Sequence, residues 1–296
     1  MAALSMDKMG VQYIKATARE ENQRIDNFLF RILKSLPKTH VYRILRKGEV
    51  RVNKKRVGPD YRLVVEDEIR LPPIMLEKQE MAPQVLNTQQ KIWLKDLILE
   101  ETPDFIVVNK PAGWSVHAGS DTRVGLVEAL RIARPDLKQV ELIHRIDKET
   151  SGCLLLAKKP SVLKVFHQLF RARQLQKTYH LVVKGAWPKA LNCVELPIED
   201  KASRTSFQIL RKHPDTTYLS AILHTGRQHQ IRLHTEASGH PIVGDSKYGD
   251  FAFNRQIAAG TGVKRMLLHA YHVAFEYQGV AFAFTAPLPD YFQSFV

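Results

Sequence analysis

A chain of 296 residues with 44% hydrophobic and 25% charged residues has an ordinary globular balance, with room for two domains and a sizeable core. Lys and Arg outnumber Asp and Glu by 44 to 30, a formal net charge of +14, which points to a polyanionic partner: nucleic acid first, an anionic membrane surface second. The membrane reading is weak because no apolar run approaches the ~20 residues needed to span a bilayer, and only two cysteines, Cys153 and Cys193, argue against a zinc ribbon or a disulfide framework.

Residues 1–22 open without the apolar core of a signal peptide, so they read as an N-terminal extension of a cytoplasmic protein. Organisation begins at Gln23. Ile25, Phe28, Leu29, Ile32, Leu33 and Leu36 recur at helical spacing up to Pro37, and a second helix over residues 38–47 buries Val41, Ile44 and Leu45. On it Arg43, Arg46 and Lys47 fall at i, i+3 and i+4, placing three cations on one face. Gly48 closes the helix, Val50 and Val52 alternate into the polar turn Asn53-Lys54-Lys55-Arg56, and residues 63–65 with 69–71 offer a further strand. Between Gln23 and Leu71 stand thirteen Lys and Arg against six Asp and Glu, so half of the net charge lies in one-sixth of the chain. In order and spacing, and most of all over Arg43-Ile-Leu-Arg-Lys-Gly-Glu-Val-Arg-Val-Asn53, this segment resembles the S4 RNA-binding module. The resemblance implies that Arg43, Arg46, Lys47 and Arg51 contact RNA, through phosphates and shape more than through sequence.

Pro72, Pro73, Pro83 and several glutamines without a sustained period mark residues 73–91 as a linker. The remainder, residues 92–296, carries no internal repeat. Its first marker, Phe105-Ile-Val-Val-Asn-Lys-Pro-Ala-Gly-Trp-Ser-Val-His117, reads as a short buried strand broken by Pro111 and Gly113. Residues 126–133 and 162–170 have helical spacing.

Between those helices runs His144-Arg145-Ile146-Asp147-Lys148-Glu149-Thr150-Ser151-Gly152, followed by an apolar strand pattern containing Cys153, which reads as an inert core residue. By itself Asp147 could be a solvated loop acid paired with Arg145 or Lys148. A protein-kinase reading of His-Arg-x-Asp fails, because the Asp falls one place late and no Gly-rich phosphate loop precedes it. The zinc-deaminase pattern is also missing. The whole stretch resembles the active-site motif of the pseudouridine synthases that act on ribosomal and transfer RNA, His-Arg-Leu-Asp-x-x-Thr-Ser-Gly, with Ile146 in place of Leu at similar volume. Two further stretches match. Lys177-x-Tyr179 before an apolar strand and Gly185 resembles the family's second motif, and Gly226-Arg227-x-His229-Gln-Ile-Arg232-x-His234 its third.

The resemblance implies an α+β fold: a small S4 domain (23–72), then a catalytic domain (92–296) built on a mixed, largely antiparallel sheet flanked by helices and loops. It implies that Asp147 is the catalytic carboxylate, that Tyr179 stacks on the target base and serves in proton transfer, and that Arg232 pairs with Asp147. Arg145 would fill the space left by a flipped-out base, His144, Arg227 and His229 would line the RNA surface, and Lys110 and Pro111 would be supports. The histidines at 224, 229, 234 and 240 tempt a metal reading, but Arg227 and Arg232 among them would repel a divalent cation, so no metal is expected. Converting uridine to pseudouridine breaks C1′–N1 and joins C1′ to C5 without redox change, so no cofactor is expected. The oxocarbenium-like transition state calls for an ionised carboxylate beside the sugar, either attacking C1′ or removing the C2′ proton, and a paired arginine favours that form. Over Arg46-Lys-Gly-Glu-Val-Arg-Val-Asn-Lys-Lys-Arg56 the chain is most similar to the C-type synthases of large-subunit (23S) ribosomal RNA, with the D type as alternative. A non-catalytic RNA-binding or chaperone protein is the reading from another class, against which the intact Asp147, Tyr179 and Arg232 set argues. The expected partner is ribosomal RNA or its precursor, bound by a cytoplasmic monomer.

Overall fold

The computed structural model describes residues 10–18, 20–33, 36, 38–73, 88–117 and 124–296, and the chain divides into two compact units between residues 84 and 85. In the first, β1 (Gln12–Lys15) is followed by α1 (Ile25–Ile32), α2 (Lys38–Arg46), β2 (Arg51–Val52), β3 (Lys55–Arg56) and β4 (Glu68–Leu71). The sheet order is β1-β4-β2-β3, all antiparallel. Strand β1 lies in the segment read from sequence as an extension, yet it pairs along β4 from Gln12↔Leu71 to Lys15↔Glu68. The apolar faces of α1 (Ile25, Phe28, Leu29) and α2 (Val41, Ile44, Leu45) close over Val52, Ile69 and Leu71 to form this unit's own core.

Two local expectations shift. Helix α1 stops at Leu33, a turn before Leu36, where the Leu33 N–H still bonds the Leu29 carbonyl but its ψ of 47° leaves the helical region. Residues 63–65 are not a strand. The Asp67 carboxylate accepts the Val64 N–H (2.9 Å) and the Tyr61 hydroxyl (3.0 Å), turning the chain so that β4 starts only at Glu68. Most of the expected linker, residues 74–87, lies outside the described residues, and its end is already helical.

The second unit runs α3 (Thr88–Asp96), β5 (Ile98–Glu101), β6 (Phe105–Lys110), α4 (Leu126–Ala133), β7 (Glu141–Leu142), β8 (Ser151–Ala157), α5 (Pro160–Arg171) and β9 (Leu175–Lys184). It continues with β10 (Cys193–Val194), β11 (Thr205–Lys212), β12 (Thr216–Leu223), α6 (Gln230–Ala237), α7 (Phe251–Thr261), β13 (Leu268–Tyr277) and β14 (Val280–Thr285). One sheet holds these strands in the order β10-β11-β12-β9-β13-β8-β6-β5, with β14 paired to β13 and β7 to β8. Only the β8–β13 pair is parallel, so the sheet is mixed and largely antiparallel.

Every residue of β8 is buried, because both faces of the sheet are covered there. Leu154 and Leu156 pack in the core that includes Leu126, Val127 and Leu130 of α4. Cys153, Leu155 and Ala157 pack on the other side with Val162 and Phe166 of α5. That two-sided burial explains an unbroken apolar run where a half-exposed strand would alternate. Burial also pushes the Cys153 thiol up to about 11, consistent with an inert core thiol. Gly152 has φ +107, and a Cβ there would collide with the Ala270 backbone carbonyl on β13. The glycine of Thr-Ser-Gly is thus what lets β8 and β13 lie side by side directly after the Asp147 turn.

Candidate active site

Asp147 sits in the turn between β7 and β8, and Arg232 in the first turn of α6. The start of α6 is fixed by buried Gln230. Its Oε1 accepts the Thr225 hydroxyl (2.7 Å) and the Arg227 N–H (3.0 Å), while Nε2 donates to the Arg204 carbonyl and Thr205 Oγ1, each at 2.9 Å. Arg232, buried, then projects Nη1 to within 3.1 Å of Asp147 Oδ2, the contact that the resemblance implied. Its other donors are taken by a second acid: Nε reaches Asp245 Oδ2 at 2.6 Å and Nη2 reaches Asp245 Oδ1 at 2.8 Å. The Tyr248 ring stacks against the guanidinium, 4.9 Å from its centre.

Burial alone would push the Asp245 carboxyl up. The Arg232 hydrogen bonds and the N–H groups of Tyr248 and Lys247 outweigh it and hold the group below the usual carboxylate range. On the cleft side of the bridge, His229 Nε2 lies 3.8 Å from Asp147 Oδ1, and Nδ1 lies 3.0 Å from the Tyr248 hydroxyl. Burial lowers the His229 imidazole below its ordinary value, so a neutral ring faces Asp147.

The Asp147 turn is held from behind. Lys110, fully buried at the end of β6, donates to the carbonyls of Pro111, Trp114 and Lys148, each at 2.9 Å. Burial brings its ammonium down to about 7. Past the turn, Ser151 Oγ lies 2.8 Å from His269 Nδ1 and 3.1 Å from the Tyr291 hydroxyl.

Tyr179 on β9 is buried and lines the same cleft, of about 820 Å³, as Asp147 and Arg232. Burial raises its hydroxyl above the ordinary tyrosine value, and the Asp147 charge raises it further, so the phenol stays protonated at neutral pH. His144 also lines the cleft. Its Nε2 accepts the Leu155 N–H at 3.1 Å, and burial holds the ring at about 3, which makes it a neutral wall. Arg145 and Arg227 are exposed on the cleft rim, Arg227 donating to the Ala202 carbonyl at 3.3 Å. The structure thus gathers seven of the residues singled out from sequence, and it adds Asp245 and Tyr248. Asp245 lies beyond the third motif, and no local pattern distinguishes it from a solvated loop acid.

The four histidines at 224, 229, 234 and 240 separate. His224 meets Ser206, His229 meets Tyr248, His234 meets Ser203 and the Leu196 carbonyl, and His240 meets the Lys184 carbonyl. Among the described residues no group of three or more His, Cys, Asp or Glu is placed to hold a metal ion. Arg43, Arg46, Lys47 and Arg51 are exposed in the first unit. Arg43 Nη2 lies 3.2 Å from the His40 ring, Lys47 Nζ 3.9 Å from Glu49, and Arg51 Nε donates to the Gly48 carbonyl at 3.3 Å. Among the described residues no helix is long and apolar enough to cross a membrane.

Residues 104–237 match the RNA pseudouridylate synthase family and residues 23–69 the S4 domain. The chain is 42% identical to the ribosomal large subunit pseudouridine synthase C of Escherichia coli O157:H7, over 95% of this chain and 94% of that one. It is 44% identical to the protein of that name from Vibrio vulnificus, over 90% and 88%. Among solved structures, human RNA pseudouridylate synthase domain containing 4 shares the fold, with a TM-score of 0.60 and 23% identity over 70% of this chain and 95% of that one.

Proposed function

The chain belongs to the RNA pseudouridylate synthase family, and on that premise we propose that it isomerises uridines of large-subunit ribosomal RNA, as a C-type enzyme. It is an isomerase with an S4 RNA-binding domain ahead of its synthase domain. The substrate assignment is supported by the relatives' name and by the extent of the match, which runs through both domains. We assign residues 23–72 to RNA binding and 92–296 to catalysis, joined by 73–91, in a cytoplasmic enzyme that works as a monomer.

In the reaction C1′–N1 breaks, C1′–C5 forms, and the proton on C5 is exchanged for one on N1. Asp147 is the carboxylate that works on the sugar, at C1′ or at the C2′ proton, where positive charge develops. Arg232 fixes and balances it. Tyr179 lines the cleft that would take the base, where its protonated hydroxyl can donate and recover a proton while the ring supplies a stacking face. A stacked uridine must be flipped into the cleft, at a cost of a few kcal/mol, and Arg145, exposed on the rim, would fill the gap as the resemblance implies. The observation that carries these roles is the single guanidinium shared between Asp147 and Asp245 in the cleft that Tyr179 lines.

Mapping pseudouridines in large-subunit ribosomal RNA from a strain lacking the protein tests the substrate. Sites should revert to uridine, be restored by the wild-type gene, and stay unmodified with Asp147→Asn, which removes the charge at almost constant volume and should keep RNA affinity within a few-fold. An unchanged map would overturn the ribosomal assignment; restoration by Asp147→Asn would remove Asp147 from the chemistry.

A further inference from the structure

Lys177 precedes Tyr179 by two positions on β9, so the two side chains leave the strand on one side, about 6 to 7 Å apart, and both line the cleft. Its ammonium rests 4.9 Å from the centre of the Phe170 ring, and the same ring is flanked by His144 at 5.8 Å. Half-buried Lys177 has no carboxylate and no hydrogen-bond acceptor among the described residues.

Lys110 shows what a structural lysine looks like in this fold, since three carbonyls surround its ammonium. Lys177 has an aromatic face and an opening. Nor does it balance a catalytic acid: Arg232 serves Asp147 and Asp245. Its neighbour His144 is held neutral by burial, so that ring adds no second positive charge beside the ammonium. A desolvated cation without a partner is costly, and the cost is relieved when an anion arrives.

Ribose and uracil are neutral, and the fixed negative charges of RNA are its phosphates. We propose that Lys177 binds a phosphodiester flanking the target uridine, inside the cleft and one nucleotide step from the reacting sugar. This rests on the synthase reading above. Burial draws the Lys177 ammonium down to about 8 in the free protein, the direction expected of a cation waiting for its counter-charge. A lysine suits the task as a compact point charge that does not demand the planar, bidentate geometry of arginine. The Phe170 face holds the ammonium in position while the cleft is empty.

The test uses the full chain and a ribosomal RNA fragment that the wild type modifies. For Lys177→Gln the loss should fall on KM, several-fold, and the slope of log affinity against log salt should be shallower by about 0.7, the share of a single phosphate. Lys177→Arg should recover most of the affinity. An RNA with one uncharged methylphosphonate linkage beside the target should raise KM for the wild type and leave Lys177→Gln unaffected. A fall in kcat at saturating RNA with an unchanged salt slope would overturn the proposal in favour of charge stabilisation on the departing base, and no change in either would make Lys177 a bystander. If the wild type itself turned over no RNA, the synthase reading would fail instead.

Discussion

Asp245 takes two of the donors of Arg232, at 2.6 and 2.8 Å, and leaves Nη1 for Asp147 at 3.1 Å. The guanidinium is therefore anchored at two points by a buried acid as well as at one by Asp147. One cation between two carboxylates leaves the cluster a net negative charge. Asp147 is the member that faces the cleft, with its side chain 23% exposed against 1% for Asp245.

Asp245→Asn keeps the volume but weakens the two-point grip on Arg232. With the guanidinium free to shift by about an ångström, turnover should fall on the order of 10²-fold, while RNA affinity changes little. Single-turnover kinetics beside a binding isotherm make the comparison. Wild-type turnover with a lowered Tm would confine Asp245 to holding the fold.

Arg232→Met removes the shared cation and leaves Asp245 buried with backbone N–H groups as its remaining partners. In the wild type the folded Asp245 carboxyl is depressed, so its pairing stabilises the protein above the ordinary carboxylate value of about 3.9 and that contribution is lost as pH falls through the depressed one. The variant should lose ~3 to 5 kcal/mol at neutral pH, along with nearly all turnover. Below about pH 4, where its unpaired carboxyl is protonated, the Tm gap to wild type should narrow. A gap independent of pH between about 3 and 8 would mean that poorer packing, not the missing charge, explains the variant.

Tyr179→Phe keeps the ring on β9 and deletes a hydroxyl that burial and the Asp147 charge hold in its protonated form. If that hydroxyl carries the proton, turnover should drop ~10² to 10⁴-fold, with RNA affinity close to wild type, since the stacking face remains. Raising the pH should not rescue the variant. Equal turnover in the two proteins would leave Tyr179 as a stacking platform.

How much of this is legible in the sequence differs from residue to residue. Asp147, Tyr179 and Arg232 come from three distant segments, and a motif read along the chain identifies each without showing that they share one cleft. Asp245 is legible only as a letter: it stands thirteen positions after Arg232, beyond the turn at Gly239, φ +78, and no periodicity records a contact made across such a turn. Lys177 stands inside a motif whose distinctive member is the tyrosine. Helix α7 escapes for another reason. It buries none of its residues fully and packs on the core only through half-buried Phe253 and Ile257, a weak apolar face, although its boundary signals are present: Asp250 accepts the Phe253 N–H at the start, and Gly262 takes φ +76 at the end. Strand β1, four residues long, is too short for alternation to be read at all, and only its pairing with β4 reveals it.

The two units make the last prediction separable. The first has its own core around Ile25, Leu29, Val41 and Ile69, and the second has cores to which the first contributes no residue, so deleting residues 1–75 should leave the Asp147 cleft folded. Replacing Arg43, Arg46, Lys47 and Arg51 by Glu tests the same face without truncation, and all four are exposed, so the substitutions should cost little stability. On long ribosomal RNA both changes should weaken binding and make the salt slope shallower by about 0.7 to 0.9 for each phosphate that the protein no longer neutralises. On a short stem-loop carrying the target uridine, turnover at saturating RNA should stay near wild type, because the residues that line the Asp147 cleft belong to the second unit. If the charge reversals left the salt slope on long RNA unchanged, this basic face would not touch RNA, and the S4 domain would have to act through another surface.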